Sequence, residues 1–128
     1  VIPKHDFIPH FFTITKQRGA LFAKGFVPGL MFDTLFTDDL YLKGGRHAVD
    51  TAGRIRTALA GAGYEFAFPS PTNQTFIVLE KKRLAELSAQ IEYGYWEELD
   101  ENRCVVRIAT SWATREEDVD ALIRIMCG

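Results

Sequence analysis

Cysteine is scarce in this 128-residue chain: Cys104 lies in an apolar run and Cys127 next to the end. Two thiols outside any CxxC spacing exclude a cysteine-type zinc site and a disulfide framework, and they point to a reducing, cytoplasmic setting. A basic surplus is lacking too. Fifteen Lys and Arg against 17 Asp and Glu leave a formal charge of -2, without the positive excess that sequence-independent nucleic-acid binding requires. No apolar run approaches the ~20 residues that cross a bilayer, and no charged start followed by an apolar stretch reads as a signal peptide. Nucleic acid and membrane are therefore set aside as partners, and the chain reads as soluble. An initiator methionine is missing as well. Val1-Ile2-Pro3 reads like the tail of a strand stopped by proline, as though a segment preceded it.

Apolar residues, by contrast, make up 47% of the sequence, enough for a domain with a real core. From Phe7 to Phe36 the chain is aromatic-rich and hard to phase; it is read as helix, kinked or split at Pro28-Gly29. Thr37-Asp38-Asp39 has the composition of a helix start, a hydroxyl for capping followed by carboxylates for the positive end of the dipole. Gly44-Gly45 is expected to weaken the helix beyond it, but Ala48, Ala52, Ile55 and Leu59 repeat at helical spacing until Gly61 and Gly63.

Strand signals follow. Phe66 and Phe68 alternate before Pro69-Ser70-Pro71, and Thr75 to Leu79 is a compact β-branched and apolar run. Leu84, Leu87 and Ile91 stripe a short charged helix. Tyr93 to Leu99 and Cys104 to Trp112 flank Asp100-Glu101-Asn102 as a hairpin with a polar turn. The last helix carries a buried face of Val119, Leu122, Ile123 and Met126, with Thr114 and Glu117 spaced as a capping box. The order is helical at first, then β-α-β-β-α, without repeat, low-complexity tract or linker.

Arg107 stands out chemically. In the strand from Cys104 to Thr110, side chains alternate, so Arg107 shares a face with Val105 and Ala109. A guanidinium cannot lose its charge and is costly to bury unpaired, so an acidic or phosphate-like group is expected to meet it. Two partners fit: Glu97 or Glu98 across the hairpin, or a small carboxylate ligand held in bidentate fashion. Other residues attract blander readings. His5, His10 and His47 lack metal-ligand spacing and read as surface or packing residues. Lys16-Gln17-Arg18-Gly19 could hold a phosphate, although such clusters are usually solvated helix starts. Asp38, Asp39, Glu116, Glu117 and Asp118 read as helix-end charges, and the aromatic excess as core or subunit interface.

Taken together, Lys16 to Leu21, Arg46-His47-Ala48, Ser70-Pro71-Thr72-Asn73-Gln74 and Val105 to Thr114 resemble one family, the threonine aldolases and β-eliminating lyases that use pyridoxal 5'-phosphate. The similarity runs in order along nearly the whole chain and is most specific from Val105 to Asp120. It implies an α/β fold of aminotransferase small-domain type, with connecting helices over residues 1–62 and a small, mainly antiparallel domain over 63–128. It implies that Arg107 grips the α-carboxylate of the amino-acid substrate, and that Arg18, or else Lys16, contacts the cofactor phosphate of a partner subunit in a homodimer or homotetramer. The expected reaction is cleavage of L-threonine or a related β-hydroxy amino acid to glycine and an aldehyde. The same clamp would also serve β-elimination.

The departures from the family matter equally. The cofactor-holding lysine falls ahead of Val1, and none of Lys4, Lys16, Lys24, Lys43, Lys81 or Lys82 matches its motif. The missing N-terminal large domain would carry the ring-stacking residues, so the isolated chain is expected to be inactive, with no catalytic residue of its own and no metal site. Pro28 and Gly44-Gly45 also depart from the smoother helical pattern of the family. An alternative of a different class is an amino-acid-binding regulatory module of ferredoxin-like fold, which would need a closing strand after the last helix.

Overall fold

The computed structural model describes residues 4–5 and 7–128, so the strand tail expected at Val1-Ile2-Pro3 lies outside the described residues. The chain divides into two units, one ending at Leu40 and one spanning Tyr41–Gly128. In the first unit, α1 (Phe11–Gln17) and α2 (Phe26–Phe36) bury none of their residues. Of the kinked and split forms read from sequence the split one is found, but the break falls at residues 18–25, upstream of Pro28. Pro28 lies in the first turn of α2, where its missing N–H would have had no intrahelical acceptor. The cap expected at Thr37 does not form. Its hydroxyl donates back to the Asp33 carbonyl at 2.7 Å, and Asp38 and Asp39 adopt φ of 51° and 58° within a short 3-10 turn.

The long helix α3 (Leu40–Gly61) runs unbroken through Gly44-Gly45. A residue without Cβ suits Gly44, where a Cβ would stand 3.2 Å from that of Trp112. Ala48, Thr51, Ala52, Ile55 and Leu59 form its buried stripe. Gly63, at φ 83°, closes the helix with paired bonds from Tyr64 N–H to the Leu59 carbonyl (3.0 Å) and from its own N–H to the Ala60 carbonyl (3.1 Å). This left-handed closure needs a residue without Cβ.

The rest of the second unit follows the β-α-β-β-α order read from sequence: β1 (Gln74–Glu80), α4 (Lys81–Leu87), β2 (Gly94–Glu98), β3 (Arg103–Ala109) and α5 (Glu116–Cys127). Phe66 contributes only an isolated bridge to Ile77, because Pro69 and Pro71 cut the segment short before a strand develops. The three strands lie in the order β1-β3-β2, antiparallel throughout. β3 is thus central, and its alternation sorts two faces. On one face Ile77, Leu79, Cys104 and Val106 meet Ile55 and Leu59 of α3, Leu84 and Leu87 of α4, and Val119 and Met126 of α5. On the other, Phe76, Val78 and Val105 form a small cluster with Ala67, and no helical residue belongs to it among the described residues.

Local chemistry explains the hairpin turn. Asp100 Oδ1 accepts from the N–H groups of Asn102 (2.9 Å) and Arg103 (2.8 Å), while Oδ2 accepts from Arg103 Nε at 2.8 Å. These bonds, the Asn102 amide first and the Arg103 side chain next, hold the Asp100 carboxyl below its ordinary value of 3.8. The capping box expected at Thr114 is absent. Its hydroxyl instead accepts from the Ser111 N–H at 2.8 Å, and Arg115 occupies the N-cap without capping a backbone amide, its guanidinium donating to the Asp118 carboxylate at 2.9 and 2.8 Å. Glu116, Glu117 and Asp118 do fill the first turn of α5, where carboxylates complement the dipole. Among the described residues, no helix is long and apolar enough to cross a membrane.

Candidate functional site

Arg107 lies on the face of the sheet that carries the small Phe76, Val78 and Val105 cluster. Phe76 and Gly94 are its register partners on either side. The cross-strand ion pair allowed by the sequence is not formed, and the register shows why. Glu97 stands opposite Val105 and Glu98 opposite Cys104, while Glu98 is paired with the ammonium of Lys81. The guanidinium instead donates from Nη1 to Gln74 Oε1 at 3.4 Å and lies 5.9 Å from the centre of the Trp96 ring. Trp96 is the residue at which β2 shifts register, between Tyr95 and Glu97, and it meets Phe76 edge-on at 4.9 Å. Phe76 in turn contacts Phe68 at 4.5 Å. A permanent cation therefore stands half-buried beside an aromatic wall, with no carboxylate on it among the described residues.

The strand exit beyond Arg107 is pinned from three directions. Thr110 Oγ donates to the Ala48 carbonyl at 2.6 Å, and its backbone exchanges bonds with Asn73, N–H to carbonyl at 3.0 Å and Asn73 Nδ2 to the Thr110 carbonyl at 2.6 Å. His47 Nε2 donates to the Thr114 carbonyl at 2.8 Å, which fixes the tautomer. Arg56 Nη1 donates to the Thr72 carbonyl at 2.9 Å. The stretches 46–48, 70–74 and 105–114, distant in sequence, thus converge around one end of β3. Buried polar groups satisfied in this way rigidify the position they surround.

The comparisons fit this arrangement. No family model and no curated protein matches the chain. A solved structure described as Leishmania major threonine aldolase matches 93% of it at 34% identity, with a TM-score of 0.82. This chain is threonine aldolase-like. It spans about a third, 35%, of the length of that enzyme, and its fold is that of a threonine aldolase C-terminal domain of the aminotransferase type. The β1-β3-β2 order also occurs in the ferredoxin-like module considered from sequence, so the 34% identity is what favours the threonine aldolase.

In this threonine aldolase-like chain, Lys16 and Arg18 belong to the first unit and are exposed. They stand at the end of α1 rather than at a helix start: Arg18 is its C-cap, and Gly19, at φ 71°, follows. A helix C terminus presents carbonyls, so an anion there would meet side chains alone. His47 has the packing role expected, and no group of His, Cys, Asp or Glu among the described residues could hold a metal. Burial pushes the Cys104 thiol up, away from its reactive form.

Sequence reading passed over Gly94 and Trp96, and noted Gln74 only within a motif. For Gly94 a signal existed. It falls within the apolar and aromatic run from Tyr93 to Leu99 read as a strand, and strand glycines often mark a close approach.

Proposed function

We propose that this chain is the C-terminal part of a pyridoxal-phosphate-dependent aldolase that cleaves L-threonine or a related β-hydroxy amino acid to glycine and an aldehyde. The observation that carries the reading is the guanidinium of Arg107, held beside Trp96 and Gln74 without an acidic partner among the described residues, in a threonine aldolase-like fold. Arg107 binds the α-carboxylate of the substrate.

The residues present fit a role toward the acid end of the substrate rather than toward the cofactor aldehyde. Lys81 and Lys82 open α4 at the Glu80–Arg103 end of the sheet, about 13 Å from Arg107 at a rise of ~3.3 Å per residue, and Lys81 is engaged by Glu98. When bound, the cofactor supplies an electron sink for the bond that breaks. Arg107 contributes orientation: a planar fork that takes both carboxylate oxygens fixes rotation about the α-carbon, and with it the direction of the Cα–Cβ bond. Trp96 beside the fork, backed by Phe76, gives the guanidinium a flat face to lie against. Lysine and ring-stacking groups from a large domain, and Arg18 or Lys16 from a second copy toward the cofactor phosphate, complete the site in a cytoplasmic homo-oligomer. The chain alone is inactive.

The test uses the full-length protein supplied with pyridoxal phosphate. Threonine is expected to perturb the cofactor absorbance and to yield glycine, and Arg107→Lys is expected to raise KM and lower kcat while the thermal transition stays in place. An unperturbed spectrum would end the reading. Ammonia and a 2-oxo acid in place of glycine would move the chemistry to β-elimination.

A further inference from the structure

Gly94 opens β2, directly opposite Arg107. Nothing in the backbone demands a glycine there, since its φ lies outside the left-handed range. A strand glycine forfeits side-chain packing and adds chain entropy to be lost on folding, so some other need keeps it. The surroundings supply that need. A Cβ at residue 94 would stand 3.2 Å from Arg107 Nε and 3.4 Å from Nη2. Those two nitrogens point their N–H groups the same way and make up one of the two-donor edges of a guanidinium, the kind that grips a carboxylate through both oxygens. The opposite end of the fork is engaged, since Nη1 donates to Gln74, and the ring of Trp96 lies alongside.

Resting on the reading that Arg107 holds a carboxylate, we infer that Gly94 and Gln74 are positioning residues for that clamp. Gln74 ties down Nη1, and Gly94 keeps the Nε–Nη2 edge open, so the carboxylate of the amino acid docks on that edge. Any side chain at 94 either displaces the guanidinium or takes the space of a carboxylate oxygen.

The experiment compares Gly94→Ala, Gln74→Leu and Arg107→Ala with the parent in the full-length, cofactor-loaded protein. Glycine and methylamine, which lacks the carboxylate, are titrated against the cofactor absorbance. Gly94→Ala is expected to weaken glycine about tenfold and leave methylamine unchanged, because small displacements of an aligned pair are costly. Its thermal transition is expected to stay level or rise, since alanine suits an extended backbone better than glycine. Gln74→Leu is expected to show the same selectivity, more weakly. A Gly94→Ala protein that binds glycine like the parent, while Arg107→Ala has lost it, overturns the inference and leaves the clamp standing. Equal weakening of glycine and methylamine overturns it as well, as the mark of general distortion. If Arg107→Ala also binds glycine normally, the clamp reading itself falls, and this inference with it.

Discussion

The two units of the chain spend their apolar residues in opposite ways. In the first, α2 exposes Phe26, Leu30, Met31, Phe32 and Phe36 by about 60% or more, and neither helix buries a side chain. In the second, mostly aliphatic side chains make a core in which Ile77, Leu59 and Val105 are wholly excluded from solvent. Apolar content therefore does not make a core. What makes one is periodicity that gathers apolar groups on a single face, as α3 and α5 do and α2 does not.

The largest expected effect tests that contrast directly. Leu59→Ala removes a fully buried side chain and should cost roughly 2–5 kcal/mol, read as a lowered urea midpoint of the isolated chain. Phe32→Ala removes a ring that is 64% exposed and should change stability by no more than about 0.5 kcal/mol. Comparable losses would mean that the first unit has a core of its own. The next effect compares two helix ends of the same design. Gly63 and Gly19 both follow a helix at positive φ, 83° and 71°. Gly63→Ala should cost about 1 kcal/mol in the cooperative transition, whereas Gly19→Ala should leave that transition where it is. The smallest effect sharpens the picture of the second unit alone. Asp100 and Asp118 are held below the ordinary 3.8, the first chiefly by the Asn102 amide and the second by the Arg115 side chain. A carboxyl lowered in the folded state contributes stability that is complete above 3.8 and disappears as pH falls through the lower folded value. Acid titration of unfolding should therefore show a decline confined to that region, and Asp100→Asn should flatten part of it.

Much of the second unit was legible because its signals are local. The apolar run from Thr75 to Leu79, the polar turn at Asp100 and the stripe on α5 each act over a few residues, and β1, the hairpin and α5 formed where those signals stood. Capping was misread for a physical reason: Thr37 and Thr114 each had a competing partner, the Asp33 carbonyl and the Ser111 amide, and a hydroxyl serves whichever lies nearer. Pro28 was read as a breaker although its effect depends on helix position, which composition does not reveal. Arg107 was visible as an unusual cation, yet the choice between ion pair and open clamp depended on register. The pairing of β2 with β3 puts Gly94 across from it and leaves Glu97 and Glu98 opposite Val105 and Cys104.

That same irregularity in β2 has a consequence for solubility. A three-stranded sheet leaves two rims, and the rim at β1 is partly sealed by the chain between Glu65 and Ala67, which exchanges bonds with Phe76 and Val78. The rim at β2 has no such cover among the described residues, yet its ladder is interrupted near Trp96. A strand arriving from a neighbouring molecule would lose step there after two or three residues. The extra residue that brings an aromatic ring beside Arg107 thereby also guards the sheet against runaway growth.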